Sequence, residues 1–209
     1  MIIMKLNLDT NYIVSGLERS GTSMIMQILN AGGIPISYDN IRKADDNNPR
    51  GYFELEGGKI INKLIDGVFS FEEYKGKFIK ITSYGLKFLP EGKYKIIYSE
   101  RFINEIIDSM EKMIGKQDTN RTEIKNSIIK LNELIKKNIH SRKDVDVLFL
   151  NYNSILIKPE KNIKKILGFL KVKENNDIVK KMINAIDVDL YRPRLDYGYS
   201  EDECLNNNS

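Results

Sequence analysis

Short apolar runs alternate along the chain with longer amphipathic stretches, a pattern that predicts an α/β domain with parallel strands. Tyr12 to Ser15 reads as a first strand ending at Gly16, and Lys77 to Thr82, Tyr94 to Ser99 and Val145 to Leu150 read as three more. Each is short, rich in β-branched or aromatic residues and bounded by polar or turn residues. From Ser23 to Ala31, Met24, Ile25, Ile28 and Leu29 recur at helical spacing, and Gly32-Gly33 stops the helix. Ile103, Ile106, Ile107, Met110 and Ile114 share one face of a second helix that Gly115 ends. A third stripe runs through Ile124, Ile128, Leu131, Ile135 and Ile139, and Pro159 opens a helix carrying Ile163, Ile166, Leu167 and Leu170.

Composition adds limits to this outline. The chain has 209 residues, 41 % of them hydrophobic, and at this size roughly 70 % of the unfolded surface is buried on folding. One soluble domain over residues 1–196 is expected, with 197–209 as a flexible tail that loses periodicity and ends in an Asn run. No apolar run approaches the length of a membrane span, and Lys5, Asn7, Asp9 and Asn11 interrupt the apolar start before a secretory signal can form. The lone Cys204 forms no internal disulfide, which fits a reducing, cytoplasmic setting. The net charge is only +4, so the strong basic footprint of a nucleic-acid binder is absent. A mildly basic surface with one basic pocket suits a small polyanion.

Such a pocket is written in Gly16-Leu17-Glu18-Arg19-Ser20-Gly21-Thr22-Ser23, between the first strand and the first helix. Two glycines let backbone N–H groups curl inward, and the helix N-terminus adds partial positive charge. Ser20, Thr22 and Ser23 contribute hydroxyls and Arg19 a permanent cation. The spacing is that of a nucleotide-binding P-loop, except that Thr22 stands where such loops carry lysine. The loss argues against ATP or GTP hydrolysis. A plain strand-to-helix turn with Ser20 as the cap is the simpler alternative, but it leaves Arg19 and three hydroxyls unexplained.

With arginine before Ser-Gly-Thr-Ser and no lysine, the loop resembles the 5′-phosphosulfate loop of sulfotransferases that use 3′-phosphoadenosine 5′-phosphosulfate (PAPS). Further similarities follow in that family's order. Lys93 to Ser109 resembles the segment that grips the nucleotide 3′-phosphate, with Arg101 at the strand end and Ser109 eight residues later. Asp46 to Glu56, DNNPRGYFELE, is similar to an Asn-Pro-[Lys/Arg]-Gly-Tyr segment of bacterial members. In Val147 to Leu156, Tyr152 matches a tyrosine beside the adenine; Lys80 matches a lysine after the third-strand region; and Leu190 to Arg194, LYRPR, is like a bacterial ending. The resemblance runs from about Tyr12 to Arg194.

It implies a three-layer P-loop-type α/β fold with a central parallel sheet flanked by helices. It also implies PAPS as sulfuryl donor and a small-molecule or glycan-type acceptor bearing a hydroxyl or amine. Arg19, Ser20, Gly21, Thr22, Ser23, Arg101, Ser109 and Tyr152 would hold the nucleotide; Arg19 and Lys80 would face the charge that develops on transfer. No metal is required, and no Cys/His cluster has ligand spacing.

The chain departs from the family at the catalytic base. Many cytosolic members carry a histidine shortly after the Lys80 position, where this chain reads Ile81-Thr82-Ser83-Tyr84. Its only histidine, His140, falls on the long third helix and reads as structural or solvent-exposed. Other sulfotransferase branches use a glutamate in the segment after the first helix, and by that resemblance Glu54 in GYFELE is the best match by position, with Glu18 and Glu56 behind it; the plainer reading pairs Glu54 with Arg50 or makes it a cap for the helix around Lys59 to Ile65. The acidic residue expected after the arginine is Phe102, and the basic C-terminal nucleotide loop of cytosolic members has no counterpart. A P-loop small-molecule or nucleotide kinase, and a degenerate nucleotide-binding member without turnover, are the alternatives. The Lys-rich run from Lys158 to Lys173 reads as a solvated helix face, and Met24, Met26 and Met110 as core filler.

Overall fold

The computed structural model describes residues 4–117 and 119–187. The proposed tail with Cys204, and the LYRPR stretch with Arg192 and Arg194, lie outside the described residues. In chain order the elements are β1 (Asn11–Gly16), α1 (Thr22–Ala31), α2 (Ile60–Ile65), β2 (Phe78–Lys80), β3 (Tyr94–Glu100), α3 (Ile103–Ile114), α4 (Arg121–Ser141), β4 (Val145–Asn151), α5 (Tyr152–Ile157), α6 (Pro159–Phe169) and α7 (Asn176–Asn184). Short 3₁₀ turns cover Glu56–Gly58, Glu72–Tyr74 and Ser83–Phe88.

The four strands form one parallel sheet in the order β2-β1-β3-β4. β1 is central and wholly buried, which is why Asn-Tyr-Ile-Val-Ser-Gly reads as an unbroken run rather than an alternation. Successive residues of β1 still feed opposite faces. Tyr12 and Val14 join Ile25, Ile28 and Leu29 of α1, Ile163, Ile166 and Leu167 of α6 and Met182 of α7 in one core layer. Ile13 joins Ile79, Ile96, Tyr98, Leu64 and Leu86, with Ile135 and Ile139 of α4, in the other. Each fully buried Ile or Leu contributes about 1.5–3 kcal/mol of burial. Helices thus cover both faces, giving the expected three layers.

Three details differ from the sequence reading. Only the C-terminal half of the α4 stripe, Ile135 and Ile139, is fully buried; Ile124, Ile128 and Leu131 are half-buried, and the start of the helix is tied to α3 by Arg121, which pairs with Asp108 and Glu111. Met24 is half-buried and lines a cavity, while Met26 is core. α5 and α7 were not legible as helices; both are short, and both open on an asparagine whose side chain accepts from the first-turn backbone. The lysines from Lys158 to Lys173 are exposed, as a solvated face requires, while Ile163, Ile166 and Leu167 pack inward.

Strand order sets where a ligand fits. After β1 the chain builds β2 on one side of it, then crosses back to build β3 on the other. The loops leaving β1 and β3 therefore diverge at their C-terminal ends and open a crevice there. Gly16 and Ser99 are register partners at that lip.

Candidate functional site

A cavity of about 620 Å³ occupies this crevice. Gly16, Arg19, Gly21, Thr22 and Ser23 line it from the first loop, Lys80 from the end of β2, Arg101 from the end of β3, Ser109 from α3, and Tyr152 from α5. Arg19, Lys80 and Arg101, far apart in sequence, share one wall system.

The cradle is fixed from beneath. Ser20 is fully buried, its N–H donates to the Leu17 carbonyl, and its carbonyl accepts from Ser99 Oγ at 2.7 Å. Its hydroxyl lies under the loop near the Cα of Gly16 and not on the cavity, so the donor expected from Ser20 is not presented there. Arg19 holds a left-handed backbone at φ 65°, a conformation uncommon for residues with a Cβ and concentrated at functional loops. Gly21, at φ 99°, closes the loop, and a Cβ there would lie 2.2 Å from Cδ2 of Tyr152, far inside van der Waals contact with the ring. No side chain caps α1, which leaves the amides of its first turn to another acceptor.

At one end, Arg19 Nε donates to Ser109 Oγ at 2.9 Å and Nη2 to the Asn47 carbonyl at 3.3 Å. Arg101 is anchored by Nη1 to the Arg19 carbonyl at 3.1 Å and by Nε to Glu105 at 2.7 Å, and its guanidinium lies 4.4 Å from the centre of the Tyr152 ring. Burial pushes the Tyr152 hydroxyl pKa up, and Arg101 works against that rise. The acids here are engaged: Glu105 with Arg101 and Asn153, Asp108 and Glu111 with Arg121. Lys112, one turn past Ser109, lines the same end and has no ion-pair partner among the described residues.

At the other end, Lys80 is almost wholly buried. Its Nζ donates to Ser23 Oγ at 3.3 Å, to the Tyr52 carbonyl, and to Glu54 Oε1 at 3.0 Å. Burial pushes the Lys80 ammonium pKa down, and Glu54 offsets part of that. Ser23 Oγ also accepts from Asn48 and donates to the Tyr52 carbonyl at 3.2 Å. Glu54 therefore faces the cavity, held by Lys80 and by Arg42 Nη1 at 3.2 Å, while Arg50 pairs instead with Asp187 at 2.8 Å. Phe53 and Glu56, near it on either side, both have φ 54°, and a Cβ on Gly58 would reach 2.8 Å from Glu54 Oε2. Of the fallback acids, Glu18 is on the rim and Glu56 is tied to Lys63.

His140 lies elsewhere, exposed, stacked on Phe149 at 5.2 Å and hydrogen-bonded to the Lys136 carbonyl. Sequence reasoning missed Arg42, Asn48 and Lys112. Lys112 was recoverable from its position three residues past Ser109 on one helix face. Arg42 and Asn48 reach the cavity through an irregular loop that has no period to read. No His/Cys/Asp/Glu group able to hold a metal occurs among the described residues.

No known family model matches the chain, and no curated protein matches it. Solved structures do. Mouse sulfotransferase SULT7A1, complexed with PAP, superposes with TM-score 0.57 at 16 % identity, covering 87 % of this chain and 66 % of its own. Sulfotransferase STF9 from Mycobacterium avium gives 0.54 at 13 %, covering 94 % and 74 %. This chain has the sulfotransferase fold. The sulfotransferase domain of the Synechococcus PCC 7002 olefin synthase agrees, with TM-score 0.50 at 14 % identity over 98 % of this chain and 86 % of that one. The chain thus spans just under two thirds of the mouse enzyme's length, and at these identities the likeness is one of sulfotransferase fold. No helix among the described residues is long and apolar enough to cross a membrane.

Proposed function

We propose that this protein is a PAPS-dependent sulfotransferase acting on a hydroxyl or amine. The observation that carries the reading is the convergence of an amide-lined glycine loop and an Arg101–Ser109 pair on a single cavity. Their separation into a loop site and an α3 site suits a nucleotide with phosphates at both its 5′ and 3′ ends. The fit is supported by two features: the uncapped first turn of α1, and the close packing of Gly21 under the Tyr152 ring, which holds that ring at the edge of the cavity. PAP in the mouse structure is consistent with the same reading.

In this account the first-turn amides of α1, with Thr22 and Ser23, hold the 5′-phosphosulfate. Arg101, Ser109 and Arg19 hold the 3′-phosphate, Arg19 being turned to Ser109 rather than toward the transferring group where the sequence had put it, and Tyr152 borders the adenine. When bound, PAPS supplies the sulfuryl group: the acceptor oxygen or nitrogen bonds to sulfur as the bond from sulfur to the bridging phosphate oxygen breaks, the electron pair leaving on that oxygen. Glu54 takes the acceptor's proton. Lys80, buried and already aimed at Ser23 and Glu54, meets the negative charge that gathers on the leaving side.

The test is incubation with sulfur-labelled PAPS and a panel of hydroxyl and amine acceptors, run beside labelled Mg-ATP. Transfer of label from PAPS, lost in Glu54→Gln, supports the proposal. Phosphoryl transfer from Mg-ATP would overturn it in favour of a kinase. Tight bisphosphate binding with no sulfuryl transfer to any acceptor would overturn it in favour of a binding protein.

A further inference from the structure

The Glu54 end of the cavity carries cationic donors that neither the nucleotide nor the proton transfer uses. Arg42 lies over the Tyr52 ring, its guanidinium carbon 3.5 Å from the ring centre, a contact that holds the fork in place. Tyr52 is fixed in turn, because its hydroxyl donates to Asp45 at 2.8 Å. Both side-chain hydrogen bonds of Arg42 leave from Nη1, to the two oxygens of Glu54 at 3.2 and 3.4 Å. Its Nε and Nη2 edge makes no hydrogen bond among the described residues, and the side chain is 42 % exposed. Lys59 lines the same cavity and has no ion-pair partner among the described residues. Gly57 and Gly58 lie on the chain between Glu54 and Lys59 and put no side chain into that space.

The acid on this wall does not balance these cations. Glu54 is already matched by the buried Lys80. Of the other carboxylates lining the cavity outside the Arg101 end, Asp187 is matched by Arg50 and Glu18 lies exposed on the rim, while Asp45, near enough for Arg42 to help lower its pKa, accepts from the Tyr52 hydroxyl and does not line the cavity. An oriented guanidinium edge beside a second cation is the donor set for a planar or tetrahedral oxyanion.

We infer that the acceptor is itself an anion, an alcohol or amine that also carries a carboxylate, sulfate or phosphate, bound through that group by Arg42 and Lys59. The inference rests on the sulfotransferase reading of the same site. It also gives Arg42 a positioning role. An arriving anion draws the guanidinium partly off Glu54 and leaves Oε2 open to the acceptor's hydroxyl or amine, so the proton has a place to go as the new bond to sulfur forms. A neutral acceptor lacks the means to make that exchange.

The experiment uses the full chain saturated with adenosine 3′,5′-bisphosphate, whose own binding is read first by thermal shift. Acid and amide partners of the same shape are then titrated by calorimetry: 4-hydroxybenzoate against 4-hydroxybenzamide, and glucuronate against glucuronamide. We expect at least one acid to bind about tenfold or more tightly than its amide, as a charge-assisted bidentate contact allows. Arg42→Gln should erase that preference, Arg42→Lys should keep a reduced part of it, and Lys59→Gln should lower it. No advantage of acid over amide in either pair, or an advantage that survives Arg42→Gln, overturns the inference while leaving the bisphosphate result intact. Absence of bisphosphate binding in the first step would instead remove the sulfotransferase reading.

Discussion

The two ends of the parallel sheet use charge in opposite ways. Where β3 and β4 begin, Asp144 accepts from Arg142 Nε at 2.9 Å and from the Gly92 amide at 3.2 Å, while its carbonyl accepts from the Tyr94 amide at 2.8 Å. Arg142 spends its remaining donors on the carbonyls of Leu89 and Pro90, each at 2.8 Å. Every charge in that cluster is satisfied within a few residues, and it ties strand starts together. Where the strands end, Arg19 and Lys112 have no acidic partner among the described residues, Lys80 is buried, and Arg19 and Phe53 hold left-handed backbone. The contrast teaches that the same fold closes its charges at one edge for stability. At the other, Arg19 and Lys112 stay without an acidic partner among the described residues and left-handed residues shape the loops around them, as an anion site of the kind proposed above would require.

The largest break in that comparison should come from Gly21→Ala. The new methyl collides with the Tyr152 ring and φ 99° is strained for any residue with a Cβ, so denaturant unfolding should show a loss of about 2–4 kcal/mol together with loss of bisphosphate binding. Gly115→Ala is the matched control: φ 73° with open space around it, expected to cost only about 1 kcal/mol and to leave binding alone. A similar cost at both positions would refute the close packing of Gly21 on Tyr152.

Arg101→Ala comes next. Removing a charge-assisted contact of about 1.5–3 kcal/mol should weaken adenosine 3′,5′-bisphosphate by about ten- to a hundredfold, and ADP, which lacks the 3′-phosphate, far less. Equal losses would contradict the role given to that residue.

At the opposite edge, Asp144→Asn should lower stability by about 1 kcal/mol or less without changing ligand affinity. Its hydrogen bond from Arg142 holds the Asp144 carboxyl pKa low, at about 2. Because the folded value lies below the unfolded one, the contribution is fully present above about pH 4 and is lost as pH falls through about 2. The variant should therefore lose this part of the acid-dependence of unfolding. An unchanged profile between pH 5 and 2 would show that the cluster is not coupled to folding.

Lys112→Gln should have the smallest effect, a weakening of bisphosphate by about two- to threefold that shrinks as salt rises past 0.1 M, since the ammonium is exposed. A loss independent of salt would mean a buried, structural role instead.

Much of this was legible before any coordinates. The four strands announced themselves because each is a short β-rich run bounded by turns, and the sheet places the Gly16–Ser23 loop, Lys80 and Arg101 at a common edge for topological reasons alone. Ser20 was misjudged because a hydroxyl in a cradle sequence does not say which way the loop turns it. The structure shows it facing down, toward Gly16. Glu54 was found by likeness of segment, yet its partners were not: the expected Arg50 pairs with Asp187, and Arg42 and Lys80 take its place. Those pairings depend on how residues 38–59 fold over the cavity, a path with left-handed residues and no period.

The most direct test of the central claim, that one cavity holds phosphates at both ends of one nucleotide, is calorimetric titration of the protein with adenosine 3′,5′-bisphosphate against 5′-AMP, in EDTA. The account predicts binding of the bisphosphate at least about tenfold tighter than 5′-AMP, from the extra charge-assisted contacts at Arg101 and Ser109. Equal affinity for the two, or no heat of binding from a folded sample at millimolar ligand, would contradict it.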